Sequence, residues 1–588
     1  MREVLRSNAL TRFGVGVLQG AALYVLHRAR ESRGWPATEP LVFAPLASVA
    51  IFVPLIIVTG LGHLRPRTLV SWAGTSALLC ASLAFYDLYR ASPEDFNTIP
   101  FVQGPRILPS PGLWIALTAG LFITQSLIIA GDAEQRIVAS YPRHFDESWK
   151  LGIQFVLGGV FVAAFWGLLW LCAELFRLIK IEFFYDLLGH SWFSIPVTAL
   201  ALTFALHITD VHASIVRGTR TLVLTLLSWL LPLITVMTVL FIGALLFTGL
   251  EPLWDTRHAT AILLSVAAAS IFLINAAYQD GAPEYRPLPV LRYASIAAAI
   301  LLMPLVVLAA YGLWLRLQQY GWTGQRVTAA ACIAVGACYA VGYVTAVVRS
   351  GMTLRHFETT NVVAAFVILG VLFALFTPLA DPVRISVADQ VRRLESGRTP
   401  VDDFDYGFLR FRSGRYGLAA LEQLKRKTDG PEAARISLKA NEALDGRTAP
   451  SQVRRDVRAT PASRIANITV VAPKGHPLPE SFVQQDWGLG RLPWGAPGCL
   501  VAATRCDAIL ADLDGDDVPE IILFSAPAGS NMVFKMADGR WSILGRFTSP
   551  YCSLVQESLR AGDFRIVPSS LKDIEVRGQR LRIDEPCR

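Results

Sequence analysis

The chain has 588 residues, of which 53% are apolar and only 17% charged, whereas soluble proteins carry about 25% charged residues. Residues 1–380 hold 24 Lys+Arg and 19 Asp+Glu, and residues 381–588 hold 30 and 27. The composition therefore changes near Asp381, and the net charge of +8 splits as +5 and +3, without the dense basic patch of a nucleic-acid partner.

The first region is a series of apolar runs. A membrane-spanning helix needs about 20 apolar residues to cross about 30 Å of hydrocarbon. Spans are predicted at 9–27, 40–61, 68–86, 112–131, 151–173, 191–209, 221–249, 259–279, 293–315, 327–348 and 361–380, eleven in all. The first is the weakest, because Arg12 and His27 bracket a short apolar stretch that could instead lie flat on the bilayer. No small-residue cleavage site follows it, so it is not read as a signal peptide. Within it, Gly16 and Gly20 mimic part of a nucleotide-binding fingerprint, but the spacing is wrong and helix packing is their expected use. Residues 180–190 are too short to span and predict an interfacial helix. Trp114, Trp192, Trp254 and Trp322 at span ends fit an aromatic belt.

Counting Lys and Arg near the span ends gives 14 on the side of the N-terminus, called side one, and 10 on side two. The positive-inside rule then predicts a cytoplasmic N-terminus. With an odd number of spans, residues after 380 fall outside the cytoplasm, in the periplasm of a Gram-negative cell.

The interiors of the spans from 40 to 380 lack Asp, Glu, Lys and Arg. This argues against a proton- or sodium-coupled pump, since such paths use intramembrane charge. The polar residues Gln125, Gln154, His207 and Asn275 suit hydrogen bonds between helices. One polar cluster at the side-one face is singled out: His207, Asp210 and His212 in HITDVHASIVRGTR, and Asn275 and Asp280 in INAAYQDG. Histidine and carboxylate at such spacing can ligate a metal or move protons. A hydrated loop with ordinary helix caps is the plain alternative.

The strings HITDVHASIVRGTRTLVLTLLSWLLPL (207–233), GLEPLW (249–254), LINAAYQDG (273–281), TPLADPVRISVADQVRRLESGR (377–398) and FDYGFLRFRSGRYG (404–417) resemble the bacterial membrane proteins grouped as domain of unknown function 4153. The resemblance covers roughly residues 140–420. It implies a multi-pass protein of the bacterial inner membrane and supplies no catalytic residues.

The organisation expected is an α-helical polytopic bundle over 1–380, a helical connector over 381–446 and a β-rich extracytoplasmic domain over 447–588, the last two forming a soluble α+β region. Short runs such as ANITVVA, DAILAD, PEIILFS, NMVFKM and RWSILGRF predict a small antiparallel sheet. Between two of them lies DLDGDDVPE (512–520), with acids at Asp512, Asp514, Asp516 and Glu520. Alternating carboxylates with the Val518 carbonyl suit calcium, a hard cation taking six to eight oxygens. Asp517 and Leu523 stand where an EF-hand needs Gly and Glu, so this is no EF-hand. The strand–loop–strand setting resembles the calcium hairpins of integrin-type FG-GAP repeats, although Asp517 replaces the usual Gly. A plain acidic turn is the alternative.

Four cysteines, Cys499, Cys506, Cys552 and Cys587, lie in the last ninety residues. An even number in an extracytoplasmic domain predicts two disulfides. Cys499–Cys506 and Cys552–Cys587 are the favoured pairs, with zinc or free thiols as the alternatives. No P-loop, H-E-x-x-H or G-x-S-x-G is present. The chain is therefore read first as a non-enzymatic envelope protein displaying a calcium-stabilised domain to an unknown protein partner or signal. A transporter or lipid-handling protein, and an enzyme on lipid-linked substrate using acids such as Asp87, Glu94 and Asp95, are the other readings.

Overall fold

The protein is described from a computed structural model. It describes residues 2–91, 106–255, 258–281, 288–350, 356–445, 460–473, 475–485, 487, 497–500, 505–524, 532–537, 539–546, 558–559, 561, 563–565, 574–576 and 579–581. Cys552, Cys587, Glu94 and Asp95 lie outside them.

Among the described residues, eleven segments, ten single helices and one helix pair, are long and apolar enough to cross a membrane. In chain order the helices are α1 (Arg2–Glu31), α2 (Pro40–Gly60), α3 (Pro66–Arg90), α4 (Pro111–Glu134), α5 (Tyr141–Leu178), α6 (Phe183–Gly189), α7 (Ser191–Val211), α8 (Ala213–Ser228), α9 (Leu230–Thr248), α10 (Glu251–Asp255), α11 (Ala259–Tyr278), α12 (Pro289–Tyr320), α13 (Gly324–Ser350) and α14 (His356–Leu375). The span expected at 221–249 is built from two helices, α8 and α9, meeting at Trp229. Pro232, third in α9, cannot donate a backbone hydrogen bond to the preceding turn, so the two helices do not fuse. The segment expected to lie at the interface forms α6. At 38 residues, α5 is about 57 Å long and overshoots the hydrocarbon, so its first turns stand beyond it or the helix tilts.

The chain divides into two compact units, Met1–Arg398 with Ser413–Tyr416, and Thr399–Arg412 with Gly417–Arg588. In the first unit, one core joins residues of α2, α3 and α4, among them Ala44, Trp72, Leu83, Leu113 and Leu121. A second joins α8, α9, α11, α12, α13 and α14 through Leu224, Leu231, Ile274, Leu302, Tyr343 and Phe357. Helix α1 packs on α7 through its glycines. A Cβ at Gly16 would lie 2.7 Å from Thr203 Oγ1, and one at Gly20 would lie 2.6 Å from Pro196 Cα. The Gly-x-x-x-Gly spacing is thus a packing device, and α1 is part of the bundle. Helix α15 (Pro382–Glu395) also belongs to this unit.

The remaining elements are α16 (Tyr406–Arg412), α17 (Gly414–Lys425), α18 (Ala433–Leu444), α19 (Pro461–Asn467), β1 (Ile468–Ala472), α20 (Glu480–Gln484), β2 (Cys506–Ala511), β3 (Glu520–Phe524), β4 (Met532–Ala537), β5 (Arg540–Arg546), β6 (Ile574–Val576) and β7 (Gln579–Leu581). The sheet order is β1-β2-β3-β4-β5, with β6 and β7 pairing as a separate hairpin. The sheet is mixed rather than antiparallel throughout, because β1 pairs parallel with β2. Parallel neighbours need a crossover, and the segment carrying α20 and Cys499 provides it. Strand β2 is buried on both faces. Phe482, Trp487, Phe534 and Trp541 pack mostly edge to face on one side with ring centroids 4.9–5.5 Å apart, and Ile509, Ala511 and Phe524 cluster with Leu559 and Phe564 on the other. Buried Arg464 ties this core together by donating to the carbonyls of Leu500, Val483 and Gln485 at 3.1, 2.7 and 2.9 Å.

Candidate functional sites

The side-one cluster expected from sequence resolves into two networks with different partners. The first centres on Asp210, at the last turn of α7. Arg12 of α1 donates to Asp210 Oδ2 at 2.7 Å, and the same nitrogen reaches the Leu61 carbonyl at 2.5 Å. Arg12 Nη1 lies 3.2 Å from His207 Nδ1. His63, in the turn between α2 and α3, and Lys150 of α5 each lie 3.2 Å from Asp210 Oδ1. Lys150 Nζ is 2.6 Å from His63 Nε2, and Gln154 adds a long 3.5 Å contact to Asp210. One carboxylate thus organises four basic side chains drawn from four elements. His212 is exposed, with its Nδ1 3.2 Å from the Ile208 carbonyl.

Asn275 belongs to the second network. It donates to Tyr343 Oη at 2.9 Å, Tyr343 donates to Asn361 Oδ1 at 2.7 Å, and Asn361 donates back to Asn275 Oδ1 at 2.6 Å. The ring locks α11, α13 and α14, and Tyr141 of α5 adds a bond to the Gln279 carbonyl at 3.1 Å. Tyr278 donates to Glu358 at 2.9 Å beside the connection that carries Asp280. Every residue of the Asn275–Tyr343–Asn361 ring finds a partner, so this network reads as interhelical glue.

Sequence reasoning missed a third network on side two. Asp87 and Asp381 have side chains 1% and 0% exposed. Arg90 bridges them, at 2.7 Å from Asp87 and 3.1 Å from Asp381, and Arg106 pairs with Asp87. Ser110 gives Asp87 a backbone donor at 2.7 Å and its hydroxyl at 3.0 Å. Asp381 caps α15 through the Val383 amide at 2.8 Å and accepts from Tyr86 at 2.7 Å. These donors satisfy both carboxylates and tie the ends of α3, α4 and α15 together.

In the soluble unit, Ala511 pairs with Glu520, so residues 512–519 form the tip of the β2–β3 hairpin. Asp512 folds the tip by accepting from the Gly515 amide at 2.7 Å and the Asp517 amide at 3.0 Å. Gly515 and Asp517 both adopt left-handed backbone, φ 80° and 60°, a conformation glycine takes freely and Asp better than most residues. Glu520 is buried at the base and accepts from the Leu513 amide at 2.7 Å. Asp512, Asp514 and Glu520 each present an oxygen within 4.8 Å of the others. Lys535, across the sheet on β4, donates to Asp514 and reaches Asp516 at 2.8 Å and Glu520 at 3.7 Å. Hydrogen bonding to Asp514 and Asp516 holds the Lys535 ammonium above its usual range, and the bond from Lys535 lowers Asp516. The donor set fits a hard cation, and the only positive charge touching it among the described residues is that ammonium. Lys535 is separated from the loop by a whole strand, so nothing local in the sequence marked it. At the opposite end of β2 from the tip, Cys506 forms a disulfide with Cys499, seven residues away in sequence.

Eleven spans, ion networks confined to their ends and a mixed-sheet unit with an acidic hairpin define a polytopic α-helical membrane protein of unknown activity. The chain belongs to the family described as a domain of unknown function (DUF4153), which matches residues 46–424. No curated protein and no solved structure matches it. The match takes in His63, Lys150, His207 and Asp210, and it leaves out Arg12 and the acidic hairpin.

Proposed function

We propose that this is a non-enzymatic protein of the bacterial inner membrane whose helical unit anchors a calcium-binding domain on the periplasmic side, where that domain engages a protein partner or senses its surroundings. The observation that carries the reading is the convergence of Asp512, Asp514 and Glu520 oxygens within 4.8 Å at a hairpin tip. Asp512, Asp514, Asp516, Glu520 and the Val518 carbonyl would hold the ion. Calcium would supply charge neutralisation, taking over from Lys535 the task of compensating five acids in nine residues. The 14-to-10 bias of Lys and Arg supports the orientation, and the Cys499–Cys506 disulfide supports an oxidising compartment.

The test is calorimetric titration of the full chain in maltoside micelles. Calcium is expected to bind with one-site stoichiometry and to raise the melting temperature of the soluble unit, and Asp514→Asn is expected to remove both effects. No heat at millimolar calcium would leave the hairpin an acidic turn. Alkaline phosphatase fused after Arg588 is expected to be active, and an inactive fusion would reverse the orientation.

A second reading, lipid handling, draws on a cavity of about 540 Å³ among α1, α2, α5, α6 and α7, lined by Gln19, Leu23, Trp166, Trp170, Ile195 and Leu202. Its wall is apolar and lies within the spans, where an acyl chain is the natural occupant. Photo-crosslinkable phospholipid should label Trp170-bearing peptides of α5 in preference to those of α12 if this reading holds.

A further inference from the structure

The networks at the two ends of the bundle differ in charge count. On side two, Asp87 and Asp381 face Arg90 and Arg106, so two acids meet two bases. On side one, Asp210 faces both Arg12 and Lys150, so one acid meets two formally basic side chains before either histidine is counted. The neighbouring acids are engaged elsewhere. Asp132 holds Arg65 at 2.7 Å, Asp146 holds Arg220, Glu147 holds Arg143 at 3.0 Å, and Glu134 accepts from Ser140. The network therefore carries at least one positive charge that no acid contacting it offsets among the described residues.

The hydrogen bonds tell the same story. Arg12 Nε and His63 Nδ1 are buried without a partner, and the Arg12 side chain is only 4% exposed. An uncompensated cation and an unpaired polar atom away from water are both costly unless something completes them. His63, Lys150 and Asp210 keep 24%, 26% and 17% of their side-chain surface, so the cluster opens to one side. It sits at the end of α7 and in the α2–α3 turn, and the ends of spanning helices are where charged side chains meet lipid headgroups.

We infer that Arg12, His63 and Lys150 form a binding site for a phosphate-type oxyanion, supplied by a lipid headgroup or as free phosphate, with Asp210 holding the three side chains in place. A guanidinium fork matches phosphate oxygens, and the ammonium adds a compact charge. Asp210 is a positioning residue here, since a carboxylate would repel the ligand if it were not already paired with Arg12.

The experiment uses the full chain in dodecyl maltoside, a phosphate-free detergent. Thermal unfolding is followed with sodium phosphate against sodium chloride at matched ionic strength, and with phosphatidylglycerol against neutral diacylglycerol. Wild type is expected to gain stability from at least one phosphate source. Lys150→Gln leaves Asp210 paired with Arg12 and is expected to weaken the response about tenfold or more, the loss of a charge-assisted bond. Arg217→Gln, an exposed charge on the same face, is expected to respond like wild type. A response to inorganic phosphate identifies the free ion as sufficient, and a response to phosphatidylglycerol alone identifies the headgroup. The inference is overturned if neither source shifts wild type, or if Lys150→Gln responds as wild type does. Should Lys150→Gln not fold, His63→Gln is judged by the same two outcomes.

Discussion

Replacing Asp87 by Asn keeps the shape of the side chain and removes its charge. Asp87 Oδ1 accepts from Arg90 at 2.7 and 3.2 Å and from the Ser110 hydroxyl at 3.0 Å, and Oδ2 accepts from Arg106 and from the Ser110 amide at 2.7 Å. An asparagine would turn an NH2 group toward one set of these donors, so at least two bonds would face donor against donor. Arg90 would retain Asp381, but Arg106, with a side chain 17% exposed, would retain only a 3.4 Å bond to the Leu108 carbonyl among the described residues. Breaking a buried pair from one side costs about 3–5 kcal/mol, a large share of the roughly 5–15 kcal/mol that holds ordinary proteins folded. Asp87→Asn should therefore lower the melting temperature of the helical unit in detergent by about 3.5–6 °C, given about 2.1 cal/mol/K of unfolding entropy per residue over Met1–Arg398 and Ser413–Tyr416. Arg106→Met should cost less, because Asp87 keeps Arg90 and Ser110. The double variant should be more stable than the sum of the two, with a coupling of about 0.5–3 kcal/mol. Asp402→Asn, which removes an exposed partner of Arg435, should leave the melting temperature unchanged. If Asp87→Asn melts within about 1 °C of wild type (the shift of a change below about 1 kcal/mol in a unit of this size), the side-two network does not hold the helices together.

Three further outcomes follow from the geometry. Tyr343→Phe leaves Asn275 and Asn361 short of a partner in a fully buried position and should cost about 0.6–2 kcal/mol in lipid or detergent, measured by thermal unfolding; a neutral result would mean that the amides re-pair with each other. Cys499 and Cys506 should resist thiol labelling in the unfolded, unreduced chain, and Cys506→Ser should expose one labelled thiol and cost about 2 kcal/mol for a loop of this length. Lys535→Met should raise the apparent calcium affinity several-fold by removing the competing ammonium. Because the Lys535 pKa is raised above 10.5, its contribution is complete below that pH and lost as pH rises through the folded-state value. In chelator, wild type should lose stability at such alkaline pH by more than Lys535→Met does.

Features carried by a short stretch of chain were legible in the sequence. Runs of about 20 apolar residues mark spans because hydrocarbon forces backbone groups to bond within one segment. The acidic hairpin was legible because its carboxylates lie within nine residues, between two β-rich runs. What escaped depends on distant pairing. Arg12 meets Asp210 across 198 positions and Arg90 meets Asp381 across 291. Lys535 reaches the loop only because β4 lies beside β3. The parallel β1–β2 pair was hidden because alternation reveals a strand but not the direction of its neighbour. His212, equal to His207 as a sequence candidate, stands apart because α7 ends at Val211, between Asp210 and His212.

The span interiors lack formal charge, yet the bundle buries several charges, and the resolution lies in where helix ends sit. In a single helix, a charge at the span end reaches water or headgroups by extending its side chain. In an eleven-span bundle, an end can be surrounded by other ends, and Asp87 and Asp381 are buried by protein rather than by lipid. Such a position is tolerable only if each charge is matched, and on side two it is. The same reasoning makes the side-one network informative. An excess of positive charge at a half-buried site has no role as mere scaffolding, which an uncharged side chain at position 150 would serve without it. Its presence is better explained by a ligand of opposite charge than by packing, and the two explanations part at Lys150→Gln: scaffolding predicts a more stable protein under all conditions, whereas an anion site predicts a gain only when phosphate is absent.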